Sequence, residues 1–355
     1  MRAAVLLDSG LSVEDVDLDG PREGELRIRL SASGLCHSDY HVIGGSLRTP
    51  RPIIMGHEGA GIVEAIGDGV TGFEVGDFVV TCYSSYCGHC VECQTGHNHR
   101  CVSKPQGPAR PSGSPITLDG QPVFTGIGAF AEEMVVHHHA AVKLPTEIPA
   151  TSAALLGCGV LTGTGAAMHG AKVRAGSRVA VVGCGGIGLN VIQGARLAGA
   201  EQIIAVDLNP DKLAMAEQFG ATAGVEAGPD AAKAVREMTQ GGVDFAFEAI
   251  GVPDAMREAF KMLRMHGTLT IIGMAKRGED VSFPALQLIE QDKRVTGSAM
   301  GDVPFQLFVP ELARLYLEGK LKLDELVSQT IPLDEIDKGF DAMVHGTVAR
   351  SVVVF

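Results

Sequence analysis

Hydrophobic and polar positions follow two different rhythms along this chain. Over the first 150 residues, short apolar runs alternate with glycine-containing turns, and helical periodicity is scarce. Ala3 to Leu7 reads as a first strand stopped by Asp8. Leu26 to Leu30, Gly61 to Ile66 and Asp77 to Thr81 read as further strands, with Gly-Asp-Gly at 67–69 as a turn. From about residue 160 the rhythm changes to apolar strands separated by helical segments. Arg178–Val182, Ile203–Val206, Ala223–Val225, Val243–Phe247, Thr268–Ile272 and Arg294–Ser298 are six strands in order, with helices such as Pro210 to Phe219 and Asp230 to Met238 between them. Such alternation predicts a doubly wound parallel sheet, six-stranded and covered on both faces. After residue 300 the pattern predicts a helix at Glu311 to Gly319 and a last apolar strand at Arg350 to Phe355. Ser103–Pro122, rich in Pro, Gly and Ser, reads as an exposed loop.

At 355 residues the chain supplies about two domains. A net charge of -13 argues against a nucleic-acid partner, because phosphate binding needs a basic surface. No window approaches the ~20 apolar residues of a membrane span, and the Ala3 to Leu7 run is too short for a signal peptide. The expectation is a cytoplasmic protein with neither membrane nor nucleic acid as partner. There the eight cysteines are thiolates and metal ligands rather than disulfides.

Four of them, Cys87, Cys90, Cys93 and Cys101, fall within fifteen residues. Zn²⁺ takes four ligands tetrahedrally, so a four-cysteine set leaves no position for substrate and is structural. The neighbouring His89, His97 and His99 read as exposed loop histidines. A second set is dispersed: Cys36 lies in Gly-Leu-Cys-His-Ser-Asp-Tyr-His at 34–41, His57 and Glu58 in Gly-His-Glu-Gly at 56–59, and Cys158 in Gly-Cys-Gly at 157–159. Two Cys and one His with an open fourth position make a catalytic zinc site. An open Zn²⁺ lowers the pKa of an alcohol hydroxyl, giving an alkoxide near neutral pH, and polarises a carbonyl in reverse. Ser38 and His41, shortly after Cys36, suit a proton path to solvent, since imidazole ordinarily changes charge near neutrality. Cys82 and Cys184 are left over.

Val179 to Gly188 is an apolar strand running into Gly183-Cys184-Gly185-Gly186-Ile187-Gly188, with a helical segment following and Asp207 closing the next strand. Glycines permit the tight turn and close approach of a pyrophosphate, and the helix N-terminus attracts its charge. Asp207 should accept from the adenosine ribose and repel a 2′-phosphate, favouring NAD over NADP.

Together these pieces resemble the zinc-dependent medium-chain alcohol dehydrogenase family over essentially the whole chain. The resemblance implies a GroES-like catalytic domain, residues 1–159 and 300–355, around a Rossmann NAD-binding domain, residues 160–299. It implies Cys36, His57 and Cys158 as catalytic zinc ligands, with Glu58 as the acidic neighbour that can approach the metal and Asp39 orienting the ligating His. Ser38 and His41 match the proton relay, His37 and Arg350 pyrophosphate contacts, Asp207 and Lys212 ribose contacts, and Tyr83 an aromatic position of the substrate pocket. The implied enzyme carries two Zn²⁺ per subunit and transfers hydride between NAD and a primary alcohol or its aldehyde. The long loop after Cys101 points to a homodimer, with a homotetramer as the alternative. Members that oxidise glutathione–formaldehyde adducts carry an acidic residue where this chain has Leu47 beside Arg48, and a basic residue shortly after the last structural Cys, which Lys104 and Pro105 match only in part. That departure disfavours a glutathione adduct and leaves another thiol-adduct formaldehyde dehydrogenase as an alternative, alongside a nicotinoprotein whose NAD stays bound. The complete ligand and relay set argues against a non-catalytic NAD-binding protein.

Overall fold

Residues 1–105, 113–346 and 348–355 are described in a computed structural model of the chain. Two units form, one from Met1–Cys158 with Pro304–Phe355 and the other from Gly159–Val303.

The second unit carries the expected six parallel strands: β1 (Arg178–Val182), β2 (Gln202–Asp207), β3 (Ala223–Glu226), β4 (Val243–Glu248), β5 (Leu263–Ile271) and β6 (Arg294–Gly297). Their spatial order is β3-β2-β1-β4-β5-β6, the order of a Rossmann sheet. Val179 to Val181 in β1 are fully buried, as expected of a central strand covered on both faces. Each of the two valines contributes about 1.5–3 kcal/mol through burial. The helix Gly159–Gly165 was not evident from the sequence because its glycines weaken helical propensity. Those glycines serve packing. A Cβ on Gly163 would come 2.5 Å from the Ile187 carbonyl oxygen, so the helix lies unusually close to its neighbour Gly186–Leu197.

In the first unit the long strand Glu25–Gly34 is central. It pairs antiparallel with Glu58–Ile66, with Glu133–His137 and with Arg350–Val354. Val352 stands opposite Gly34, so the end of the chain completes a sheet begun near its start. The segment expected as a loop at Ser103–Pro122 is corrected in part. Ile116–Leu118 and Gln121–Pro122 pair as a hairpin, Ile116–Leu118 also pairs with Asp17–Leu18, and Ile116 and Val123 are buried. Asp119 and Gly120 both have positive φ, the two-residue turn that Asp-Gly favours. Residues 106–112 lie outside the described residues. The last predicted helix begins earlier, as Phe305–Leu317, and runs through Pro310.

Candidate active site

The strand Glu25–Gly34 ends two residues before Cys36, which opens the short helix His37–Ile43. His57 immediately precedes the strand Glu58–Ile66, whose first residue stands opposite Gly34. The preceding Gly56 has φ +88, and a Cβ there would lie 2.6 Å from the Phe130 nitrogen, so this turn requires glycine. Cys158 follows the tight turn Leu155–Gly157. These three stretches bring one ligand atom each from Cys36, His57, Glu58 and Cys158 within 4.8 Å of one another. Both cysteines are 7 % exposed and Glu58 is fully buried.

His57 Nδ1 lies 3.1 Å from Asp39 Oδ1, which also accepts the Gly56 N–H at 3.2 Å. A carboxylate can only accept, so it holds the proton on Nδ1 and leaves Nε2 to face a metal. Burial opposes charge on His57, but Asp39 and Cys36 outweigh it and raise its pKa well above the ordinary value. The hydrogen bond with Cys158 pulls the Cys36 thiol well below its usual range, with His57 and Arg350 adding to the shift. The same bond and burial push Cys158 up. The donors suit Zn²⁺: two sulfurs, one imidazole and a nearby carboxylate.

Arg350 was matched to a pyrophosphate contact. It is 7 % exposed, and its guanidinium bonds the Glu58 carboxylate and the Leu35 carbonyl, the latter at 2.8 Å. Burial pushes the Glu58 carboxyl up to about 7, against the pull of Arg350. This pairing was missing from the sequence reading. Ser38 Oγ lies 3.6 Å from Cys36 Sγ, His41 is half-buried in the last turn of the same helix, and His37 is exposed at its start.

The second cluster also closes. Sulfur–sulfur distances are 3.5 Å for Cys90–Cys93, 3.8 Å for Cys90–Cys101 and 4.0 Å for Cys87–Cys93. Four sulfurs about 2.3 Å from a tetrahedral zinc lie about 3.8 Å apart. Backbone N–H groups of Cys87 and Cys90 point at sulfurs of the set at 3.3 Å. Backbone hydrogen bonds at Cys93 and Val102 lower the Cys90 thiol to about 6. His89 and His97 are exposed as expected, but His99 is buried at 6 %. Burial raises Cys82 to about 11 and Cys184 to about 12, keeping both as neutral thiols.

In the second unit, Gly183 turns with φ +94 and Gly188 packs so closely on it that a Cβ there would collide with the Gly183 carbonyl. At Gly185 a Cβ would meet no atom within 4 Å, and Gly185, which caps the helix Gly186–Leu197, has no side chain to occupy that helix start. Open space at a helix N-terminus fits a pyrophosphate. Asp207 ends β2, its carboxylate accepting the Cys184 N–H at 2.8 Å and the Asn209 N–H at 3.0 Å. Ile187 and Lys212 are half-buried nearby in sequence. Tyr83 is 44 % exposed, with Lys104 Nζ 4.8 Å from its ring centre.

A family model described as "Alcohol dehydrogenase GroES-like domain" matches residues 22–146, and one described as "Zinc-binding dehydrogenase" matches residues 186–317. Among solved structures, the chain is similar to an alcohol dehydrogenase zinc-binding domain protein from Burkholderia ambifaria, with 34 % identity and TM-score 0.95, over 100 % of this chain and 98 % of that one. It is similar to benzyl alcohol dehydrogenase from Acinetobacter calcoaceticus at 31 % identity and TM-score 0.94, covering 100 % and 99 %. A putative zinc-binding dehydrogenase from Sinorhizobium meliloti 1021 bound to NADP matches at 27 % and TM-score 0.82, covering 100 % and 99 %.

Proposed function

This chain belongs to the zinc-dependent medium-chain alcohol dehydrogenase family, and from that premise we propose that it oxidises primary alcohols to aldehydes with NAD. The observation that carries this reading is the convergence of Cys36, His57 and Cys158, from three distant stretches, on one buried point with Ser38 beside it. Those three residues would hold the catalytic Zn²⁺ and the four-cysteine cluster a second. When bound, the catalytic ion is a Lewis acid that makes an alcohol hydroxyl easier to deprotonate. The hydroxyl proton passes to Ser38 and on to His41, which follows three residues later on the same helical face. Partial exposure of His41 would give the proton its exit, and bound NAD would supply the hydride acceptor, so that the balanced products would be aldehyde, NADH and a solvent proton. Asp39 fixes the ring of His57, while Arg350 holds Glu58 beside the ligands.

NAD binding falls to Gly183, Gly185, Gly186, Ile187 and Gly188, with Asp207 and Lys212 at the ribose and His37 and Arg350 at the pyrophosphate. The Asp207 charge is anchored by two backbone N–H groups and would oppose a 2′-phosphate. Tyr83 lines the alcohol pocket in this reading. Lys104 over its ring favours, as a second reading, a hydroxymethyl thiol adduct bearing an anionic group. Six of the eight cysteines fall into two candidate ligand clusters, a use of cysteine that supports a reducing, cytoplasmic compartment. A homodimer is supported by the edge strand β6 and the exposed Leu286 and Ile289 just before it, at 63 % and 81 %.

The test is a screen of aliphatic, aromatic and thiol-adduct alcohols, beginning with benzyl alcohol, followed by NADH absorbance after extensive dialysis. Primary alcohols should lead, and NAD should exceed NADP in kcat/KM by more than about tenfold, some 1.4 kcal/mol. Asp207→Asn should narrow that ratio. Equal use of NADP by the parent overturns the role of Asp207, and nucleotide retained through dialysis turns the reading to a nicotinoprotein.

A further inference from the structure

A three-histidine cluster lies apart from both cysteine sites. His137 ends the strand Glu133–His137, and His138 and His139 begin the 3₁₀ turn His138–Ala140. Along a continued strand the middle ring would face away from the other two. The turn instead gathers them: ring centres are 4.5 Å apart for His137–His138, 4.3 Å for His138–His139 and 4.8 Å for His137–His139. One ring nitrogen of each lies within 4.8 Å of the others.

Hydrogen bonds set the tautomers. His138 Nδ1 lies 2.9 Å from the Gly24 carbonyl oxygen, and His139 Nδ1 lies 2.7 Å from that of Tyr86. Carbonyls only accept, so both Nδ1 atoms carry the proton and both Nε2 atoms keep their lone pairs. Metal-ligating histidines are oriented in this way, the second ring N–H being held by a carbonyl or carboxylate. Burial, with His138 adding to it, lowers the His139 pKa and favours the neutral ring that a ligand must have. His137 differs. Its Nδ1 accepts the His139 backbone N–H at 3.1 Å, which leaves the proton on Nε2, so this ring can ligate only by exchanging that bond.

We propose that His138 and His139 bind a divalent late transition-metal ion through their Nε2 atoms, with His137 as a weaker third ligand. Imidazole donors without thiolate suit Zn²⁺, Ni²⁺ or Cu²⁺. The bound ion would stiffen the start of the cysteine loop, because His139 stacks on Tyr86 at 4.4 Å and 8° and Tyr86 directly precedes Cys87. Gln306 adds a 2.9 Å bond to the His139 carbonyl.

Equilibrium dialysis of tag-free, zinc-loaded protein against Ni²⁺ tests this. One Ni²⁺ should bind per chain with no zinc released, and the melting temperature should rise with it. His138→Gln and His139→Gln should each weaken binding about tenfold or more, the range found when a ligand's support is lost, and His137→Gln by less. Uptake that survives the His138→Gln, His139→Gln double variant, or that releases zinc one for one, overturns the proposal. Should the double variant fail to fold, Cu²⁺ on the parent protein decides. Its electron paramagnetic resonance spectrum should carry nitrogen splitting from two imidazoles, and a spectrum without that splitting overturns the site.

Discussion

Ser38 and His41 share one short helix, three residues apart, a spacing that suits the proposed proton path. Replacing His41 by Gln keeps the size and removes the base. Alcohol oxidation should slow by about 10²-fold at neutral pH, the lower range for general acid–base catalysis, and by less at high pH where hydroxide substitutes. A pH–rate profile measured beside a deuterated alcohol checks this, the isotope effect reporting that hydride transfer is being followed. An unchanged profile leaves His41 without a part in proton transfer. The two ligand clusters around Cys36 and Cys87 were legible in the sequence because metal chemistry restricts the residue type and, at Cys87 to Cys101, the spacing as well. The pairing of Arg350 with Glu58 was not legible, since the two are 292 positions apart and no spacing rule joins them.

Among elements, the cysteine loop behaves as one object. Its helix Val91–Gln94 has four residues and buries none of them, so packing contributes little, and in the proposed two-zinc reading the metal holds it. Cys90→Ser should therefore lower the zinc content by one per chain and reduce the melting temperature by several degrees. Cys36→Ser should also release one zinc, yet cut activity by orders of magnitude with a smaller thermal change. Elemental analysis with calorimetry separates the two, and one zinc or none in the parent protein sinks the two-site reading. The parallel strands were legible because burial on both faces demands continuous apolar runs. The helix through Pro310 was cut short in the sequence reading because proline removes a donor, whereas the buried Phe305, Phe308 and Val309 hold the turn before it in place and Leu312 the turn after. The Asp119-Gly120 hairpin was hidden in a stretch whose composition suggested only loop.

For the molecule as a whole, light scattering should return the mass of a dimer, and Ile289→Asp should shift it toward a monomer of 37.1 kDa. A dimer that persists in this variant removes Ile289 from the contact. The pairing of Val352 with Gly34 has a further consequence for biosynthesis. A ribosome delivers Cys36, His57 and Cys158 early, but the sheet that supports them lacks its neighbouring strand until residue 350 has emerged. At ~5–20 residues per second, the stretch from residue 304 onward takes roughly 3–10 s, during which the Rossmann unit is already complete. Glu58 meets its arginine only in those last moments, so the newborn chain carries a finished nucleotide fold before it owns a finished reaction centre.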